Sequence, residues 1–451
     1  MKLWYNSPGS SWKEAMPIGN GRLGAMVFGG LEKERIQINE ETLWSGAPHD
    51  YNREDAGRYL HEVRRLIFAG RIEEAEQLFL KQMMGDPVNL QAYMPFCDLW
   101  LEFPGHWPVD KYCRELDLER AVATVRYEID GVAYTREVFC SHPGGCMVIR
   151  LTSSAQGRVC VNASLSSVHP DTSVLTDGDG AIRLVGQTGT RSESKHWIAA
   201  WEGPGLRFEG ILKTFCDGGE CIAADGALKI VNAHAVTFVF TGATGFVNYC
   251  DIGGDPTEKN RQNLARIAGR PYEEVLNEHI EDHSALFNRV ALRLDGDANK
   301  DEKEGGRDRL PTDQQIRSIR EKADPALAAL YFQFGRYLNQ HEPFPMQIDA
   351  NFGGTAGIAE MLLQSRARYK GNSAEYVIDL LPALPVQWPE GSVTGLRARG
   401  GFEIDMTWED GMLSRAVVRS LKGLSCTLRY RNESIRCGVN AGDPFHYCPS
   451  K

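Results

Sequence analysis

The chain has 451 residues and a mass of 50.2 kDa, enough for two to four domains at about 100–200 residues each. Apolar residues make up 42% and charged residues 24%, which excludes a disordered chain, and no apolar run approaches the roughly 18 residues of a membrane-spanning helix. The net charge of −10, with no basic cluster, excludes a nucleic-acid partner.

Met1-Lys2-Leu3-Trp4-Tyr5 leads straight into polar turn residues without a signal-peptide core, so a cytoplasmic location is expected. Ala25–Phe28 and Ile36–Asn39 then read as strands. Over residues 54–83, Leu60, Val63 and Ile67 recur at helical spacing, Gly70 interrupts, and Ala75, Leu78, Phe79 and Gln82 follow. This predicts a helical hairpin inserted in a β context. From Tyr93 to Tyr249 strand signals dominate, with a hairpin over residues 121–139 turning at Asp130-Gly131, a pair suited to positive φ. Ten or so short strands there predict a large antiparallel sandwich.

Residues 257–288 read as helical, followed by a short strand at Val290–Leu294 and a charged loop over residues 296–308. Pro311-Thr312-Asp313 starts a helix, and Asp324-Pro325 caps another running to Leu338. A helix is expected over residues 353–366, after Gly353-Gly354. Strands return over residues 393–436, with a turn at Glu409-Asp410-Gly411. The expected layout is β, then α, then β.

Several motifs carry no chemistry on this reading. Gly19-Asn20-Gly21-Arg22-Leu23-Gly24 matches a dinucleotide fingerprint, with Glu40 about 20 residues on, but Pro17 precedes it and a strand follows where a helix is required. His279 and His283 share a helix face, yet the residues between them complete no zinc motif. Asn162-Ala163-Ser164 and Asn432-Glu433-Ser434 are chance glycosylation sequons. The 11 cysteines form no C-x-x-C pair and read as scattered reduced thiols.

Pro343-Phe-Pro-Met-Gln-Ile-Asp-Ala-Asn-Phe-Gly-Gly354 is the most informative stretch. Asp349 and Asn351 stand just before two glycines, either projecting into a cleft from a tight loop or forming a helix N-cap. An Asp held at a helix N-terminus stays ionised and can activate a neighbour.

Together with Pro17–Gly30, Ile36–Gly46, Tyr93–Leu99, Leu310–Asp313, Asp324–Leu338, Gln347–Leu363, Leu380–Pro385 and Gly395–Phe402, this stretch resembles the α-L-fucosidases of glycoside hydrolase family 95. The resemblance implies an N-terminal antiparallel β-supersandwich (1–250), a helical linker (251–310), an (α/α)6 barrel of which only residues 311–389 remain, and a small C-terminal β domain (390–451). It implies inverting hydrolysis of terminal α-L-fucosides, with a Glu as acid and an Asn-containing base arrangement assisted by an Asp that matches Asp349. Asn351 is expected to contact substrate. No cofactor or metal is expected, and the partner is a fucosylated oligosaccharide.

The family pattern places several hundred residues between the Phe-Gly-Arg-Tyr-Leu338 helix and the Gln-Ile-Asp349 motif; here only eight residues intervene. Twelve barrel helices at about 11–12 residues, with loops of 4–6, need on the order of 200 residues. Pro311 to Pro389 offers 79. Glu342 and Glu360 lie nearby but in no family motif. The expectation is an internally shortened, inactive member; a non-catalytic carbohydrate-binding form is the alternative. Barrel helices without partners should expose Leu327, Leu330, Tyr331 and Phe334, and so favour self-association.

Overall fold

A computed structural model of the chain describes residues 1–89, 91–178, 180–188, 203–294, 310–321, 323–341, 350–370, 373–438 and 440–449. They form 25 strands in four sheets and seven α-helices. None of these helices is long and apolar enough to cross a membrane.

Two antiparallel sheets build the N-terminal sandwich. One has nine strands, in spatial order Lys2–Tyr5, Asp110–Asp117, Val122–Ile129, Val132–Ser141, Cys146–Ser153, Ala235–Thr244, Arg207–Asp217, Ala181–Gln187 and Thr172–Thr176. The other has seven: Glu220–Ala224, Ala227–Ala233, Val159–Ser166, Cys97–Glu102, Lys33–Glu40, Leu23–Val27 and Met16–Gly19. Alternating side chains such as Ile36, Ile38, Leu99 and Leu101 fill the space between the sheets. Phe96 sits at the centre, edge-on to Phe208 at 5.1 Å and to Phe240 at 6.2 Å between ring centroids. A Cβ on Gly210 or Gly242 would lie 3.0 Å from the Phe96 ring, so these glycines make room for it. The predicted Asp130-Gly131 turn is present with φ of 50° and 76°, closing Ile129 onto Val132.

The predicted helical hairpin is α1 (Leu60–Phe68) and α2 (Ile72–Gln82), separated at Gly70 with φ 74°. Helices α3 (Pro256–Ile267) and α4 (Tyr272–Phe287) split the single helical stretch read over 257–288. Gly269 (φ 73°) and Pro271 end the first and start the second. Both cover the outer face of the nine-stranded sheet, where Ile267, Val275 and Leu276 meet Phe139, Val148 and Val239.

After α5 (Thr312–Ser318), helix α6 (Pro325–His341) starts as the sequence predicts: Asp324 Oδ1 accepts from the Leu327 N–H at 3.1 Å, with Pro325 next to it. Helix α7 (Ala350–Leu362) packs against α6. Here the structure corrects the helix expected over 353–366. It starts three residues earlier and ends at Leu362, where strand Leu363–Lys370 begins and pairs with Ser373–Leu380. Gly353 and Gly354 thus lie inside the helix. A Cβ on Gly354 would come within 2.5 Å of the Tyr331 ring, so glycine there permits the close approach of α6.

Strands Leu363–Lys370, Ser373–Leu380, Cys426–Tyr430 and Glu433–Cys437 form a four-stranded sheet with one parallel pair. Strands Ala291–Leu294, Gly391–Ala398, Phe402–Glu409, Met412–Ser420 and Pro444–Tyr447 form a five-stranded one. Trp408, Phe402, Ile404 and Leu428 are buried in their shared core.

The expected exposure of α6 is overturned. Leu327 and Leu330 are buried in the sandwich core, Phe334 packs against that core, and Tyr331 is half-buried against α7. On its other side Ala329 and Phe332 enter the C-terminal core. The helix is apolar nearly all round because two β cores flank it, which removes the surface on which self-association was expected. Arg336 ties it down, donating to the carbonyls of Phe287 at 2.7 Å and Val290 at 2.5 Å. The buried Tyr337 hydroxyl donates to the Pro17 carbonyl at 2.9 Å. Tyr337→Phe should cost about 1 kcal/mol in a urea unfolding experiment. An unshifted midpoint would show that this hydrogen bond contributes nothing.

Candidate functional site

Asp349 and Glu342 lie outside the described residues. Asn351 falls in the first turn of α7 rather than in a loop before it. Glu360 is exposed on the same helix. Of Asp349, Glu342 and Glu360, only Glu360 is among the described residues.

His279 and His283 do share one face of α4, but that face is buried. His279 Nε2 lies 3.0 Å from the Arg120 carbonyl and His283 Nε2 lies 2.8 Å from the Leu118 carbonyl. Burial holds His279 down to about 4, and His283 below its ordinary value, so both are neutral anchors of α4 on the sheet. Among the described residues no group of three or more His, Cys, Asp or Glu side chains could hold a metal ion.

The Gly19–Gly24 motif is a hairpin turn between Met16–Gly19 and Leu23–Val27, with Gly21 at φ 83°. Asn20 Oδ1 accepts from the N–H of Leu23 at 2.8 Å, and Asn20 Nδ2 donates to the Ser141 carbonyl at 2.9 Å. This turn aims Arg22 between the sheets. Its guanidinium donates to the carbonyls of Gly145 and Gly242 and lies 3.7 Å from Glu40.

Glu40 is buried, and burial pushes its carboxyl up against the pull of Thr42 and Arg22. Its Oε2 accepts from the Thr42 N–H at 2.8 Å and from the Thr42 hydroxyl at 2.6 Å. Oε2 is thus occupied while Oε1 faces Arg22 at 3.7 Å, and Glu40 acts by shaping the loop that follows. That loop presents Glu41, a half-buried carboxyl also pushed up by burial. Trp44 Nε1 donates to the Glu41 carbonyl at 3.2 Å, and the Trp44 ring leans on Tyr93 at 5.5 Å. In one loop the chain thus carries a carboxyl with a raised proton affinity, which can hydrogen-bond a sugar hydroxyl, and two partly exposed aromatic rings, which can stack on a sugar's apolar face. Sequence reasoning quoted these residues inside motifs without assigning them. The consecutive Glu40-Glu41 ahead of Trp44 was the available signal.

A separate cavity of about 270 Å³ lies between the nine-stranded sheet and the α3–α4 connection, bordered by Arg150, Phe215, Cys216, Arg270 and Tyr272. Neither α7 nor the Glu41 loop reaches it.

Three family descriptions match the chain. Residues 3–249 match "Glycosyl hydrolase family 65, N-terminal domain", residues 271–340 the "Glycosyl hydrolase family 95 catalytic domain", and residues 372–444 the "Glycoside hydrolase family 95, C-terminal domain". The chain belongs to glycoside hydrolase family 95. Residues 341–371, with Asp349 among them, fall between the last two matches. "Alpha-L-fucosidase 2" of Arabidopsis thaliana is 32% identical over 355 residues, covering 75% of this chain and 41% of that protein. "Probable alpha-fucosidase A" of Aspergillus niger is 27% identical over 369 residues, covering 78% and 44%. The chain thus spans less than half the length of these relatives. A solved structure titled "Putative kojibiose phosphorylase from human microbiome" aligns at a TM-score of 0.38 and 10% identity, over 65% of this chain and 39% of that one, a likeness too low to assign a fold.

Proposed function

We propose that this chain is an internally shortened α-L-fucosidase that no longer turns over α-L-fucosides. One observation supports this above the others: α6 and α7 pack on each other, and Leu363 at the end of α7 already belongs to the C-terminal sheet. Three described helices stand where the barrel resemblance calls for twelve. Inverting hydrolysis needs a proton donor on the leaving oxygen and a base for water, with the carboxyl groups about 6.5–9.5 Å apart. Of that pair the chain's motifs supply at most Asp349.

The second reading, a glycan-binding chain without turnover, is favoured by the partly exposed Trp44–Tyr93 pair in the loop that carries Glu41. The two readings are compatible, and one set of measurements addresses both. The purified 451-residue chain incubated with an α-1,2-fucosylated oligosaccharide should release no fucose above the buffer control. Turnover that Asp349→Asn abolishes would overturn the loss of catalysis. In saturation-transfer NMR, signal from the same oligosaccharide should vanish in Trp44→Ala. Equal signal from both chains would remove the loop as a glycan contact.

A further inference from the structure

Two described cysteine pairs lie close together in the fold, against the expectation of scattered thiols. Cys426 and Cys437 face each other across antiparallel strands, and both are buried. Cys216 and Cys221 differ in being exposed. They end and begin strands that belong to different sheets of the sandwich, Arg207–Asp217 in one and Glu220–Ala224 in the other. The chain crosses between the sheets through Gly218 and Gly219 alone, at φ of 68° and 70°. A Cβ on Gly219 would lie 2.4 Å from the Val231 carbonyl, and one on Gly218 would lie 2.7 Å from the His234 ring. The His234 N–H, donating to the Asp217 carbonyl at 2.7 Å, closes the corner. Only glycine turns so sharply here, and the turn brings the two cysteines, separated by four residues of chain, to the same corner of the sandwich.

We propose that Cys216 and Cys221 form a reversible dithiol–disulfide site that reacts with small disulfides of the glutathione type. Burial and the neighbouring thiol push Cys216 up to about 11, so it is held as the protonated thiol in the first step. The Cys221 thiolate attacks one sulfur of glutathione disulfide and expels one glutathione thiolate, forming a mixed disulfide. The Cys216 thiol then loses its proton and attacks the Cys221 sulfur, expelling the second glutathione. The two protein thiols are oxidised, one glutathione disulfide is reduced, and two glutathiones leave. The product ties the two sheets covalently at their corner. Because Cys216 also borders the 270 Å³ cavity, the reaction changes one wall of it.

The test is differential alkylation with peptide mass spectrometry on the folded, full-length chain after incubation with glutathione disulfide. Cys216 and Cys221 should lose reactivity toward iodoacetamide together, joined in one peptide that retains no glutathione, and dithiothreitol should restore both. Cys216→Ser should stop at the mixed disulfide, with glutathione held on Cys221. A wild-type chain that retains glutathione on Cys221 while Cys216 stays alkylable would overturn the proposal. So would an unreacted pair in a sample whose exposed Cys250 has reacted. Should the variant fail to fold, phenylarsine oxide serves on the wild-type chain. It bridges only adjacent thiols, so it should block both residues at once, and a failure to do so counts equally against the site.

Discussion

Replacing Glu34 with alanine is expected to destabilise the chain by about 3–5 kcal/mol, because a buried guanidinium is left without its carboxylate. Glu34 in the seven-stranded sheet and Arg136 in the nine-stranded sheet meet at 2.5 Å, with side-chain exposures of 0% and 2%. The other Glu34 oxygen accepts from the N–H groups of Phe28 at 2.9 Å and Gly29 at 3.0 Å. Arg136 also donates to the Gly30 carbonyl at 2.8 Å and lies 5.2 Å over the Phe103 ring. Burial pushes the Glu34 carboxyl up, while Arg136 and the backbone donors oppose the rise. Arg136 Nε and Nη1 find no partner among the described residues, so the pair is already incompletely compensated. The double replacement Glu34→Leu with Arg136→Met should therefore cost less than Glu34→Ala alone. Urea midpoints of the three chains decide it. A double variant at least as unstable as the single one would show that packing, and not stranded charge, sets the cost.

Acidification is the second large effect. His279 is buried against the carbonyls of Arg120 and Ala121, and burial holds it down to about 4, with His283 and Arg120 adding repulsion. The unfolded chain takes up this proton near pH 6.5, the folded chain only near 4. Between those values the unfolded state binds more protons, so stability falls as pH falls; it is fully present above about 6.5. From the two values His279 contributes about 3 kcal/mol of this loss, at ~1.4 kcal/mol per pH unit. His106, also held to about 4, and His169 and His283, lowered by burial, act in the same direction. Unfolding free energies measured from pH 7.5 to 4.5 should fall steeply below 6.5. His279→Gln, which keeps a donor for the carbonyls but gains no proton, should flatten part of that slope. A profile unchanged by the substitution would remove His279 as a cause.

Local signals told most of the strands and helix starts. Asp130-Gly131 and Asp410-Gly411 marked hairpins because their turns demand positive φ at both positions, and both have it. Asp324-Pro325 marked the start of α6 because capping is a local interaction. The errors lie where distant partners decide. Leu363–Lys370, Leu-Gln-Ser-Arg-Ala-Arg-Tyr-Lys, is rich in helix formers and becomes a strand only because Ser373–Leu380 folds back on it. Strand Asp110–Asp117 is too polar to read alone and is held between two neighbours. Cys216 and Cys221 flank what looks like a hairpin turn, yet the strands join different sheets. For the candidate site, the family motifs were legible, but the coupling of Arg22 to Glu40 depends on the pairing of Leu23 with Glu40 across neighbouring strands, a register that no spacing rule reports.

Helix α6 has one more consequence. Leu327, Leu330 and Tyr337 are buried with the sandwich, while Ala329 and Phe332 are buried with the C-terminal sheets. A helix claimed from both sides is a common wall, not a tether. Cutting the chain on either side of it would leave one fragment with an unroofed core. The two β units are therefore not separable modules: neither can melt or be excised while the other keeps its interior dry.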